Sequence, residues 1–107
     1  MPTDVESPSR EPNWRSRLFG VACDAEEAER WLDALVIYEH LASISPPDLE
    51  LQFRITRVSV ELRDRRLAIA ALTKFEKLYA SANPETRSAF SAEVEAMRDR
   101  VEDMANS

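Results

Sequence analysis

Apolar residues recur at intervals of three and four along most of the chain, which is the spacing of one face of an α-helix. The pattern predicts a short helix over about 14–22, a second over about 25–44 and a third over about 47–62. A fourth helix follows, which ends near Ala82, and a last one opens at Pro84. The chain is therefore predicted to be all-α, with five helices.

The ends of these helices carry the residues that favour caps and turns. Asp24, with an acid three residues later, predicts a capping box that opens the second helix. Consecutive prolines at 46–47 end that helix and start the next, and Asp64 is the predicted N-cap of the fourth. Asn83 and Pro84 open the last helix. Tight turns predict two antiparallel hairpins followed by a C-terminal capping helix.

Part of the chain resembles another part at an offset of 37 residues. The segment ALVIYEHL, residues 34–41, returns as ALTKFEKL, residues 71–78, and the same offset aligns Pro47 with Pro84. Repeats of about this length are typical of stacked helix hairpins, which mostly bind other proteins.

Two sets of residues carry a resemblance to a known family: Ala34, Tyr38 and Leu41 with Pro46 or Pro47, and Ala71, Phe75 and Leu78 with Pro84. They resemble the second helices of tetratricopeptide-like repeats, over about residues 18–90 and about two and a half units. The family period is 34, so about three extra residues must be absorbed in helix length or in turns. The resemblance implies a small right-handed stack that acts as a non-enzymatic adaptor or chaperone. Its groove, lined by the first helix of each pair, would hold a peptide or helix of a partner.

On this chain, the resemblance places that groove on the third helix. Its expected partner-binding residues are the polar side chains Gln52, Arg54, Arg57 and Glu61. The two arginines would pair with carboxylates, so an acidic segment of another protein is the expected partner. The alternative interpretation is that the charged row is an ordinary solvated helix face.

The last helix has a narrow apolar seam between broad charged faces, which suits a helix that closes a stack. A second hypothesis uses the same seam for homodimerisation of a structural or regulatory helical subunit. Because two and a half repeats are few for a stable stack, self-association or a constant partner is expected. The residues of the proposed dimer seam are Phe90, Val94, Met97 and Val101.

Length and composition bound the organisation of the chain. With 107 residues, one domain is expected, over residues 13–107. Residues 1–12 contain three prolines among polar residues and are predicted to form a flexible tail. The chain has no apolar run of membrane-spanning length and no signal-peptide pattern at its start. Together with the lone cysteine, these features predict a cytoplasmic protein.

Few residues are suited to chemistry. A single glycine, Gly20, cannot form a phosphate-binding loop, so no nucleotide cofactor is expected. The only histidine, His40, and the only cysteine, Cys23, would lie on either side of a long helix, about 25 Å apart if both are helical, which is too far to form a catalytic pair. A metal site would need more imidazole or thiol ligands. The sequence therefore predicts a protein that is not an enzyme.

The formal net charge of −6 disfavours binding to nucleic acid. A third hypothesis nevertheless assigns nucleic-acid association to a local cluster of positive charge. Its residues are Arg54, Arg57, Arg63, Arg65 and Arg66.

Overall fold

The computed structural model of the chain describes residues 6–106. Within this range the chain forms five α-helices and no strand, which confirms the all-α prediction. The helices are α1 Glu6–Glu27, α2 Trp31–Ile44, α3 Leu49–Glu61, α4 Arg65–Ser81 and α5 Pro84–Ala105. Of the predicted flexible tail, residues 1–5 lie outside the described residues, and residues 6–12 belong to α1.

α4 and α5 begin where the sequence predicts, α3 begins two residues later than predicted, and a side chain caps each of the three. Asp48 accepts hydrogen bonds from two backbone N–H groups at the start of α3, and Asp64 accepts one at the start of α4. Asn83 accepts a 2.8 Å bond from the N–H of Thr86, with Pro84 in the first turn of α5. Each cap satisfies N–H groups that have no partner inside the helix.

The boundary between the first two helices differs from the prediction. α1 continues through Asp24 to Glu27, so Asp24 caps nothing and the predicted helix over 25–44 is wrong. The break lies at Glu29, which has the left-handed φ of 61°. The backbone N–H of Glu29 donates a hydrogen bond to the carbonyl of Glu26, and the N–H of Arg30 donates one to the carbonyl of Ala25. This is a Schellman ending, a conformation in which glycine is the usual residue.

α3 lies at the centre of the stack. α1 packs against α2 and α3 against α4, which confirms the two hairpins, and α5 packs on both α4 and α3. α2 packs on α3, and ion pairs from α3 reach both α1 and α5. The first helices of successive pairs therefore follow one another along one side, and α2 and α4 lie on the other.

Two apolar clusters hold the stack together, and each contains one fully buried aromatic side chain. Tyr38 belongs to the cluster among α1, α2 and α3, and Phe75 to the cluster among α3, α4 and α5. The ring of Phe75 lies 5.7 Å from that of Phe53 and meets the ring of Phe90 edge-on at 6.4 Å. Such aromatic contacts contribute about 1 kcal/mol each beyond simple burial.

The two hairpins repeat with different spacings in their turns and in their cores. The left-handed turn residues Glu29 and Arg63 are 34 positions apart, whereas the buried aromatics Tyr38 and Phe75 are 37 apart. The difference of three residues equals the excess length of α4, which has 17 residues against 14 in α2. The three additional residues of α4 therefore account for the difference between the two spacings.

Candidate interaction site

The predicted partner-binding residues of α3 contact other parts of their own chain. Gln52 is only 8% exposed, and its Nε2 donates a 3.1 Å hydrogen bond to the backbone carbonyl of Ala71. This bond joins α3 to α4. The expectation that the Gln52 side chain is available to a partner is therefore wrong.

Arg54 and Arg57 both face the buried carboxylate of Glu26 on α1. Arg57 Nε donates to Glu26 Oε2, and Arg54 Nη1 lies 3.7 Å from Oε1 of the same side chain. Each guanidinium also lies 5.1 Å from the centre of an aromatic ring, Phe19 for Arg54 and Phe53 for Arg57. Cation–π contact of this kind adds to the ion pairs. Both arginines thus join α1 to α3 within the chain.

Tyr38 supplies a further partner for the same carboxylate. Its hydroxyl donates a 2.8 Å hydrogen bond to Glu26 Oε1 and lies 3.5 Å from the Sγ of Cys23. Burial raises the pKa of the Tyr38 phenol, and the hydrogen bonds with Cys23 and Glu26 raise it further. A buried carboxylate with a phenol and two guanidinium partners is well compensated. We call Glu26, Tyr38, Arg54 and Arg57 the Glu26 clamp.

Glu61, the fourth predicted residue, accepts a 2.7 Å hydrogen bond from Arg100 of α5. It therefore links the last helix to α3, as the Glu26 clamp links the first. All four side chains predicted to bind a partner serve contacts within the stack.

The seam of α5 is also occupied within the chain. Val94, Met97 and Val101 are at most 5% exposed and pack in the apolar cluster among α3, α4 and α5. Phe90 packs edge-on against Phe53 and Phe75. The prediction of a capping helix is confirmed, and these four residues do not present an open surface for dimerisation.

The only cysteine and the only histidine of the chain lie on two different helices. Because the chain turns at Glu29, Cys23 on α1 and His40 on α2 belong to adjacent antiparallel helices, so the separation of about 25 Å predicted for one helix is wrong. Cys23 faces Tyr38, whereas His40, two residues further along α2, is exposed on the opposite side. In the described part of the chain, no group of three or more His, Cys, Asp or Glu side chains could hold a metal ion.

The arginines of the third hypothesis do not form one free cluster. Arg54 and Arg57 pair with Glu26, whereas Arg63 and Arg65 line a shallow depression of about 490 Å³. That depression also contains two carboxylates, those of Glu61 and Asp103. Mixed charge of this kind attracts phosphate groups weakly.

An open groove lies between α2 and α4, and the sequence did not predict it. Its two connected parts have volumes of about 320 and 330 Å³ and share Ala42, Gln52 and Lys74. α3 forms the floor through Leu51 and Ile55. We call this surface the α2–α4 groove. Its other principal lining residues are Glu39, Ser43, Leu67, Ala70, Lys77 and Leu78.

Both lysines of the chain line the α2–α4 groove. Lys74 and Lys77 are the only lysines among the 14 basic residues, and both are exposed. Among the residues whose side chains the structure describes, 14–104 and 106, neither lysine has an ion pair or hydrogen bond. The carboxylates in the groove lining are Glu39 and Asp48, and Asp48 is engaged as the N-cap of α3. The groove therefore offers two unpaired cations on the α4 side.

Exposed apolar side chains extend one end of the groove. Leu32 and Val36 on α2 are each 61% exposed, and Leu67 of the groove lining is 37% exposed. The spacing from Leu32 through Val36 to Glu39 places these residues in one row along α2. A row of large exposed apolar side chains beside a groove is typical of an interaction surface.

No family model, curated protein or solved structure matches this chain. None of the helices that the structure describes is both long enough and apolar enough to cross a membrane.

Proposed function

We propose that the protein is a non-enzymatic interaction module that holds a peptide or helix of another protein in the α2–α4 groove. The observation that carries this proposal is the contrast between the two sides of α3. On the side of α1 and α5, the polar residues of α3 are paired with Glu26 and Arg100. On the side of α2 and α4, an open apolar groove remains.

The shape of the groove supports a ligand of protein type. Its two parts together exceed 600 Å³ but are open to solvent, and nine of their sixteen lining residues are Ala, Leu, Ile or Pro. An open, partly apolar surface between two helices accommodates a chain segment better than a small substrate, which needs an enclosing pocket. A module of this kind would act as an adaptor or chaperone.

Photo-crosslinking from the groove tests the proposal. A photoreactive residue replaces Ala42 or Ala70, which are exposed in the groove, and a matched control replaces Ala92 on the exposed face of α5. The proposal expects both groove positions, but not Ala92, to capture the same protein through one contiguous segment. Capture from Ala92 alone, or no capture from either groove position, would contradict it.

A further inference from the structure

We propose that the α2–α4 groove takes an amphipathic α-helix whose polar edge carries two carboxylates that pair with Lys74 and Lys77. This inference rests on the proposed function and specifies the ligand of the same groove. Three properties of the groove support it: its backbone, its apolar row and its charge.

The backbone around the groove favours a helical ligand over an extended one. The groove is lined mainly by α2, α3 and α4, whose main-chain N–H and C=O groups bond within their own helices. An extended peptide therefore finds few free backbone partners here, and its own polar groups would lose water without compensation. A helix satisfies its backbone internally and presents only side chains, as in helix-in-groove recognition.

The length of the groove sets the length of the ligand. From Leu32 to Ser45 the surface follows α2 for 13 residues, or about 20 Å at 1.5 Å per residue. A ligand helix of about 14 residues covers this distance. Its apolar stripe would contact Val36 and Leu67 at one end and Leu78 at the other.

The charge of the groove selects carboxylates. Lys74 and Lys77 are three residues apart on α4, so their ammonium groups occupy one side of a single helical turn. Two acidic side chains three or four residues apart on the ligand have the same repeat. Glu39, on the opposite wall, would repel an acid placed near it. The carboxylates are therefore expected along the α4 edge of the ligand, beside the part of the groove that contains Pro46 and Pro47.

A display library of 14-residue helical peptides, with one face randomised, provides the probes for a direct test. The peptides selected on the full chain are expected to carry an apolar stripe and two acids at a spacing of three or four. In fluorescence anisotropy at low salt, the double variant Lys74→Glu/Lys77→Glu should bind them at least about ten-fold more weakly. The matched control Arg17→Glu/Arg87→Glu, with the same charge change at exposed positions on α1 and α5, should bind within about two-fold of the unmodified chain.

Two further measurements separate ion pairing from a general disturbance of the groove. Peptides with lysine in place of the two acids should recover binding to Lys74→Glu/Lys77→Glu, which a misfolded variant could not do. A carbodiimide that joins carboxylates to amines should link the acidic peptide to Lys74 or Lys77, mapped by mass spectrometry.

The inference is overturned if no selected peptide binds the groove, if the selected peptides lack acids, or if the double lysine variant binds them unchanged. The proposed function has its own readout, because groove-specific photo-crosslinking reports binding of any segment. Crosslinking to a partner whose bound segment is not an acidic helix would leave the proposed function standing and eliminate this inference alone.

Discussion

The hydroxyl of Tyr38 donates a 2.8 Å hydrogen bond to Oε1 of Glu26, so α2 and α1 meet through a buried polar contact. The carboxylate lies in the last turn of α1, where the partial negative charge of the helix end disfavours an acid. The guanidinium groups of Arg54 and Arg57 offset that charge from α3. One side chain therefore connects three helices.

Replacing Glu26 with Gln should destabilise the fold, because the amide keeps the size of the side chain but loses its charge beside two arginines. We expect the free energy of unfolding to fall by about 1–3 kcal/mol, since the arginines retain some solvent contact. Urea denaturation measures the change. Glu50→Gln, which removes an exposed partner of the same Arg54, is the matched control and should cost less than about 0.5 kcal/mol. Equal losses in the two variants would contradict the importance of the Glu26 clamp.

Alkaline pH should destabilise the protein through Tyr38. Its pKa is raised in the folded state, so the folded chain holds the phenolic proton more tightly than the unfolded chain does. This contribution to stability is complete below about pH 10, the ordinary pKa of tyrosine, and is lost as the pH rises further. Urea unfolding between pH 8 and 11 should show the decline.

The variant Tyr38→Phe is the control for this pH dependence. It should be less stable at pH 8, because the hydrogen bond to Glu26 is absent, but should show a smaller decline above pH 10. An unchanged decline in Tyr38→Phe would assign the effect to other groups.

Truncating Met97 should weaken folding without changing the oligomeric state. Met97 is 4% exposed within its own chain, so Met97→Ala is expected to lower the free energy of unfolding by about 2–4 kcal/mol. Glu95→Ala, on the exposed side of α5, should change it by less than about 0.5 kcal/mol. Analytical ultracentrifugation with each variant distinguishes the two hypotheses for the seam. Conversion of a dimer into a stable monomer by Met97→Ala would favour homodimerisation through α5.

Glycine at the two left-handed turn residues should stabilise the hairpins. Glu29 and Arg63 have φ angles of 61° and 60°, which glycine adopts without the steric cost of a Cβ atom. We expect Glu29→Gly and Arg63→Gly each to raise the free energy of unfolding by about 0.5–1 kcal/mol. The control Arg17→Gly, at an exposed position inside α1, should lower it by about 1 kcal/mol. Destabilisation by both turn variants would show that the side chains of Glu29 and Arg63 stabilise these turns.

The helix boundaries that the sequence predicted correctly are those with a side-chain cap. Asp64 and Asn83 use a short polar side chain to bind backbone N–H groups, a signal that is local and visible in the sequence. The turn at Glu29 has no such signal, because a glutamate occupies the position where glycine would mark the end of a helix. Asp24 then resembled a cap although it lies inside α1.

The position of the groove could not be predicted for a different reason. A charged row such as Arg54 and Arg57 has the same spacing whether it faces solvent or a neighbouring helix. Glu26 lies opposite that row because of the way in which the hairpins pack. The spacing of residues along one helix does not predict this packing. Lys74 and Lys77 were a usable signal, since all other basic residues are arginines. Their common side of α4 becomes informative only when α2 is known to lie across from it.

The placement of both lysines in one groove has a practical consequence for the handling of this protein. Dyes, biotin and sensor surfaces are commonly attached through primary amines, which here means Lys74, Lys77 and the chain's terminal amine. Arginine does not react with such reagents, so the label would concentrate in the α2–α4 groove and obstruct it. Attachment through Cys23 would place the label beside Tyr38 and Glu26. A genetically encoded tag therefore leaves both the α2–α4 groove and the Glu26 clamp unmodified.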